Sequence, residues 1–505
     1  MRKAVPTLFV SLTVLLALIL TGCGASMMNT SSSGTGTVGT VAVFGSDAPL
    51  CDVFSFQVTI SSAELVPQNG GPPVSVISSP LTVDFARLVD FATIFQLAQI
   101  PPGTYSQLTV TMTNPVLRVL DVTATPPTVV VVPNTLFSNN TSTMTINAPI
   151  RNADDQGQDQ DTELDVGQKG ALGLKLDFNL RESVLTDANG QVTGVVDPIL
   201  KAQLTSPQTG DDHEGVGQTA ELHGLVTSVQ TAGSGNYTGS FGLQVLGGVG
   251  PIFTIETDSS TDFDGIPGLG GLSSGQFVEV DAIVDTSGNI LAKEVEVPET
   301  EPPDNSTGVF LGPIVAVERD TSGNAVSFTM VVRQEYPEDL SESIPRYAPL
   351  EVNLSASGTN YHLPAWLNPA NLTFNAASLG VGEHVGVQGS LVSGSPVTVN
   401  ALGVFLRPRT VLGNFTQLLA ALDDKAGGFT LAPCGSLFQG MPMTALTFES
   451  TFFSGVDGLT GLSPQPTIAT RGLLFYEQSS GAANGAAWTA PTWVIEAHRV
   501  HQYSQ

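Results

Sequence analysis

Positive charge is scarce in this chain. Of 505 residues, 18 are Lys or Arg and 46 are Asp or Glu, a net charge of −28. Nucleic-acid binding needs clustered basic side chains that displace counterions from phosphate, and no run of them stands in this sequence. Anionic lipid surfaces are disfavoured on the same ground. Such acidity serves solubility first and the collection of divalent cations second. Cysteine is almost absent, with Cys23, Cys51 and Cys434 the three residues. That is too few for a disulfide framework. Cys51 and Cys434 fall at opposite ends of the chain, and their positions alone do not pair them. The expectation is two small buried side chains. Flat aromatics are few (3 Trp, 7 Tyr), which argues against a broad sugar-stacking platform, while the 24 Phe suit apolar cores. No Walker loop or His-Glu-x-x-His helix occurs. The six histidines, His213, His223, His362, His384, His498 and His501, are scattered, and each reads as an ordinary polar side chain.

What is abundant points to β-structure. Gly (53) and Pro (33) are plentiful, 41% of residues are apolar and only 13% are charged. That mix favours short strands joined by many turns, with enough apolar surface for real cores. The length calls for about three to four domains.

At the start, Arg2 and Lys3 precede an apolar run from Leu8 to Leu20. The run is shorter than the roughly 20 residues a bilayer needs, and it ends in small residues, as an export signal does. Leu20-Thr21-Gly22-Cys23 resembles the lipobox of bacterial lipoproteins. The resemblance implies cleavage between Gly22 and Cys23, lipidation (palmitate among the acyl groups) of the Cys23 thiol, and a chain that sits on a membrane through lipid alone. Gly24, where an Asp would favour inner-membrane retention, implies the outer membrane. Residues 23–37 are Gly-, Ser- and Thr-rich and read as a tether of about 20 Å. Gly34-Thr35-Gly36-Thr37-Val38-Gly39 satisfies the dinucleotide spacing, but it follows a tether and opens no helix.

Residues 38–204 form the first domain. Phe54, Phe56, Val58 and Ile60 alternate with polar residues, as do the stretches 81–85, 108–112 and 172–178. This is the pattern of an antiparallel β-sandwich. Leu88 to Leu97 carries a helix-like cluster of Leu88, Phe91 and Phe95. The Asp47-Ala48-Pro49 opening, the Val58 to Ser62 strand, the Pro102-Gly103-Thr104-Tyr105 turn and the Leu176-Asp177-Phe178 closing region resemble an N-terminal domain of unknown function in bacterial lipoproteins. That family brings no activity and no catalytic residues. Asp154, Asp155, Asp159, Asp161, Glu163 and Asp165 crowd one loop. Calcium takes six to eight oxygens from such loops, so these carboxylates are the candidate metal ligands, although the EF-hand spacing is missing. A solvated charge run is the plainer explanation.

Residues 205–219 read as a linker, and the chain then repeats. Gly224-Leu225-Val226 recurs at Gly312-Pro313-Ile314 and, more loosely, at Gly413-Asn414-Phe415. Leu272, Gly275, Val278 and Val280 are answered by Leu379, Gly382, Val385 and Val387. The first offset is 88 and the second 107, so the second unit carries an insertion near residues 336–372. The units span 220–298, 306–408 and 409–505, with a Pro-rich linker at 298–305. They resemble small β-barrel repeats of exported bacterial proteins, and the resemblance implies an OB-like barrel.

The expected architecture is thus all-β: a sandwich followed by a rod of about three small OB-like barrels. The expected role is non-enzymatic, lipid-anchored display, adhesion or scaffolding in the cell envelope, with an envelope protein or glycan as partner. Capture of a glycan or of calcium is the alternative, and hydrolysis by an acid pair is the third.

Overall fold

Alternating apolar residues build strands through most of the chain, and the all-β expectation holds. The computed structural model describes residues 38–503, apart from 49, 89–91, 154–158, 168–170, 189, 206, 209–214, 246–250, 299–306, 338–343, 364–367, 395, 439 and 464–466. Gly22, Cys23, the tether and His213 lie outside the described residues, as does the linker from residue 299. No described helix is long and apolar enough to cross a membrane.

The first domain is built on β1 (Gly39–Ala48), β2 (Val53–Pro67), β3 (Thr93–Ile100), β4 (Gly103–Asp121), β5 (Thr143–Ala153), β6 (Ala171–Asn179) and β7 (Leu200–Thr205). These join in the order β2-β4-β5-β7-β6-β1-β3. In β2, Phe56, Val58 and Ile60 are buried while Gln57 and Thr59 are half-exposed, as their alternation requires. The sheet is mixed, because β1 runs parallel to β6 and β7 parallel to β5. Period-two alternation fixes which side chains share a face but carries no strand direction. Among the described residues of 88–97 none is helical, so the expected helix is not borne out there. A single 3-10 turn at Phe85–Arg87 leads into β3, which pairs antiparallel with β1. Ile94 and Phe95 are buried there all the same, so tertiary pairing overrides the local pattern.

The first barrel holds β8 (Gly215–Gln230), β9 (Gly239–Val245), β10 (Ile252–Thr257), β11 (Phe277–Asp285) and β12 (Ile290–Glu296). Residues 215–219, read as linker, therefore belong to β8. The second barrel holds β13 (Thr307–Arg319), β14 (Ala325–Val331), β15 (Pro349–Asn353), β16 (His384–Val392) and β17 (Thr398–Arg407). The third holds β18 (Arg409–Ala421), β19 (Gly427–Pro433), β20 (Met443–Thr447), β21 (Thr467–Glu477) and β22 (Thr492–Gln502). Each closes in one circuit: the opening strand pairs with the second and fourth, and the third runs parallel to the fifth. Gly224, Gly312 and Gly413 occupy one place in this circuit, where the opening strand is squeezed between its two partners. A Cβ there would meet a backbone oxygen at 2.2, 1.9 and 2.4 Å respectively, so only glycine fits.

The four bodies share cores. Ala42, Phe44 and Ile94 of the first domain pack with Leu222 and Val280 of the first barrel. Phe277, Tyr336 and Phe405 join the first and second barrels, and Phe328, Phe475 and Trp488 belong to one cluster across the second and third. Residues 38–505 form one compact unit. The third barrel returns to the first domain, which corrects the expected rod. Cys51 and Cys434 form a disulfide across 383 residues, which corrects the expectation of two free side chains. Beside it, Ser436 N donates to Asp52 Oδ1 at 2.8 Å.

Candidate functional site

The four bodies together line a half-open cavity of about 610 Å³. Its walls mix apolar side chains such as Leu222, Phe438 and Phe452 with charged ones, and the strand period explains where the charged ones stand. In β11, Val278, Val280 and Ala282 fill the barrel core, so Glu279 and Asp281 must point outward. In β12, Val295 faces in and Glu294 and Glu296 face out. Register then sets Glu279 opposite Glu296 and Asp281 opposite Glu294. On the other flank, β8 places His223 against Glu279 and Glu221 against Asp281. Two rows of titratable groups result, His223-Glu279-Glu296 and Glu221-Asp281-Glu294, all lining the cavity. Like charges directly opposite one another are unfavourable in a sheet, and here they are concentrated.

Protons and arginines relieve this crowding. Burial, with Glu221 alongside, pushes the Asp281 carboxyl up to about 7 against the pull of Arg471. Burial and Asp281 push Glu294 up to about 8. Burial and then Glu279 hold Glu296 well above the usual carboxylate range. Arg407 Nε lies 2.5 Å from Glu279 Oε1, and Arg471 grips both Glu221 oxygens, with Nε to Oε1 at 3.0 Å. These two ion pairs tie the first barrel to the second and third.

The remaining wall is basic. Arg87 arrives on the 3-10 turn of the first domain, Arg333 just after β14 of the second barrel, and Arg409 at the head of β18. Among the described residues none of the three forms an ion pair with a carboxylate. Arg87 instead bonds Gln334 and stands 3.3 Å from His223 Nε2. Arg333 donates to the Phe54 carbonyl at 3.0 Å with its guanidinium 4.3 Å from that ring. Arg409 donates to the Gly382 carbonyl and lies 5.1 Å from the Phe438 ring. Burial and then Arg333 lower Arg409 to about 9. His384 stands at the start of β16, beside Pro313 and Arg407. Burial and the fields of Arg407, Arg333, Arg409 and Arg87 keep its ring neutral. Its Nε2, like Nε of Arg333 and of Arg409, has no hydrogen-bond partner.

The acidic loop reads differently. Asp154 and Asp155 lie outside the described residues, and Asp159–Asp161 is a short strand on β5. Asp161 Oδ1 lies 3.3 Å from Arg151 Nε, Glu163 accepts from Gln68, and Asp165 is exposed in the strand Leu164–Val166. No three His, Cys, Asp or Glu among the described residues are placed to hold a metal ion. Sequence reasoning passed over the cavity residues, although Glu279/Asp281, Glu294/Glu296 and Arg407/Arg409 at spacing two were a visible signal. It also took every histidine as an ordinary polar side chain, whereas His223 and His384 are deep in the cavity wall; His501 does bond Ser454 Oγ, at 2.7 Å. Gly271-Leu272-Ser273-Ser274-Gly275 has nucleophile-elbow spacing, but it follows a 3-10 turn and leads into a strand, with Ser273 exposed.

Two stretches match known families. Residues 38–193 match a family described as Domain of unknown function (DUF4382), and residues 245–296 match Domain of unknown function (DUF5666). No curated protein matches the chain. The solved structure "drosophila Unr CSD456" aligns over 57% of this chain and 98% of its own, at 9% identity and a TM-score of 0.14. A likeness at that level carries no argument.

Proposed function

We propose that this chain is an exported, lipid-anchored protein that binds a small ligand in the cavity between its four β-bodies and performs no chemistry on it. One observation carries the reading. A cavity of about 610 Å³, within the usual size of a ligand site, is lined by charged side chains drawn from all four bodies. Asp281 and Glu294 face each other as an acid pair would, but burial raises both carboxyls. Carboxyls held that high can both donate and accept hydrogen bonds, which suits holding a polar ligand. The lipobox-like Leu20 to Cys23 supports attachment through lipid, with the outer membrane favoured by Gly24. Native mass spectrometry of the purified protein tests the binding reading: a retained small molecule, lost on widening or filling the cavity, is expected, and a uniformly empty protein that responds to no compound in a thermal-shift panel counts against it. Cys23→Ser tests the anchor, with loss from the membrane fraction expected.

The shared cores and the disulfide favour a second reading, a rigid body for display or scaffolding in the envelope. Capture of an envelope protein in a pull-down that survives blockage of the cavity would support it.

A further inference from the structure

The basic wall of the cavity points to the ligand's chemistry, an inference that rests on the binding reading above. We propose that the cavity takes a hydroxyl-rich molecule bearing an oxyanion group, phosphoryl or carboxylate, with the oxyanion held by Arg87, Arg333, Arg409 and His384 and the hydroxyls by Asp281 and Glu294. Three buried guanidiniums gathered on one wall repel one another; the field of Asp84 offsets this in part at Arg87 and Arg333, but among the described residues none of the three forms an ion pair with a carboxylate. The acid whose field acts on Arg409, Glu383, is wholly buried and accepts from Tyr476 N at 3.0 Å. Burial holds it protonated, so it supplies no compensating charge. The unused Nε atoms of Arg333 and Arg409 are donors without acceptors in this wall, and Nε2 of His384, which donates in one tautomer of the neutral ring, also lacks a partner. An oxyanion, with several lone pairs on one centre, is the group that satisfies such a set, and guanidinium forks match its geometry.

The carboxyl rows complete the description. Asp281 and Glu294 stand opposite one another, and burial, with Glu221 beside the first and Asp281 beside the second, raises both carboxyls so that in the protonated form each can donate one hydrogen bond and accept others. That is the bonding capacity of a sugar hydroxyl. A second anion would be refused there and a bare cation would find little charge, so the two walls sort a ligand end to end.

Calorimetry with the purified protein decides the matter, using glucose 6-phosphate, glucuronate, inorganic phosphate, citrate and glucose as probes. Glucose 6-phosphate or glucuronate is expected to bind more tightly than glucose by at least tenfold, and the better of the two identifies phosphoryl or carboxylate. Arg333→Gln and Arg409→Gln are each expected to weaken that binding by roughly ten- to a hundredfold. Arg333→Lys keeps the charge and guards against loss of fold, with circular dichroism as the check. Asp161→Asn, on an exposed side chain that does not line the cavity, is expected to leave the binding of every probe unchanged. Glucose binding as well as its charged derivatives, or anion binding that ignores the arginine variants, overturns the oxyanion assignment while leaving a ligand cavity in place. If no probe and no member of the wider thermal-shift panel binds, the cavity reading falls with it.

Discussion

The first and third barrels carry opposite charges at one structural position. In each barrel the fourth strand bulges against the fifth, after Asp281 in the first, Gln388 in the second and Arg471 in the third. The residue directly across is Glu294, Gly403 and Arg499 respectively. One fold position therefore holds an acid pair, a neutral pair and a basic pair. The barrel interiors need only apolar residues, and they are alike. The outward positions are free of that demand, and charge has diverged there so that the acidic face of one barrel meets the basic face of another across a shared cavity. The lesson is that repetition copies the core, while the surfaces between copies carry what distinguishes them.

Opening the ring breaks this comparison most strongly. The Cys51–Cys434 disulfide closes a loop of 383 residues between the first domain and the third barrel. Loop-closure entropy assigns such a bridge on the order of 5 kcal/mol, so the Cys51→Ser/Cys434→Ser variant should lose several degrees in Tm. Calorimetry checks the size of the loss, and native mass spectrometry checks that ligand retention goes with it.

Exchanging the charges is the next test. Arg471→Ala strands Glu221 in the cavity wall and should cost about 3 kcal/mol, the low end for a buried pair because Glu221 retains some exposure. Arg471→Glu with Glu221→Arg should recover much of what either charge reversal loses, and a double-mutant cycle in urea measures the coupling. Additive losses would show that the two faces do not interact.

Titration sharpens the contrast further. Asp281 and Glu294 have folded pKa values near 7 and 8, above those of the unfolded chain. The folded state therefore holds more protons than the unfolded state between about pH 4 and pH 8, and stability from these groups falls as pH rises through that window. Tm should drop from pH 5 to pH 8, and Asp281→Asn with Glu294→Gln should flatten the slope. No slope in either protein would mean the carboxyls ionise freely. The smallest effect is expected at the exposed Arg151–Asp161 pair, where Asp161 is 75% exposed. Asp161→Asn should shift stability by no more than about 0.5 kcal/mol, which sets the baseline for the cavity pairs.

Strands such as β2 and β11 were legible because alternation is local: each neighbour in sequence lies on the other face, and burial follows. The glycines at 224, 312 and 413 were legible as a repeat for the same reason, since a strand pinched between two others must lack a Cβ wherever the circuit recurs. The sandwich was read without its parallel pairs, because β1 and β6 lie more than a hundred residues apart and alternation gives no direction. The segment at 88–97 was misread because Leu88 and Phe95 satisfy helical spacing, and only the free edge of β1 made it a strand. The candidate site was hidden in plain view. Glu279 and Asp281 look like solvent-facing residues of a strand until a second and a third barrel are placed against them.

By itself the sequence determined the strand content, the repeated barrel, the acidic balance and the export-like start, all of which follow from neighbours in the chain. Tertiary structure alone decided that Cys51 meets Cys434, that Arg471 meets Glu221 and that the last barrel comes back to the first domain. The physical reason is that an outward side chain on a strand has no local constraint on its partner; its surroundings are set by whichever distant surface packs over it.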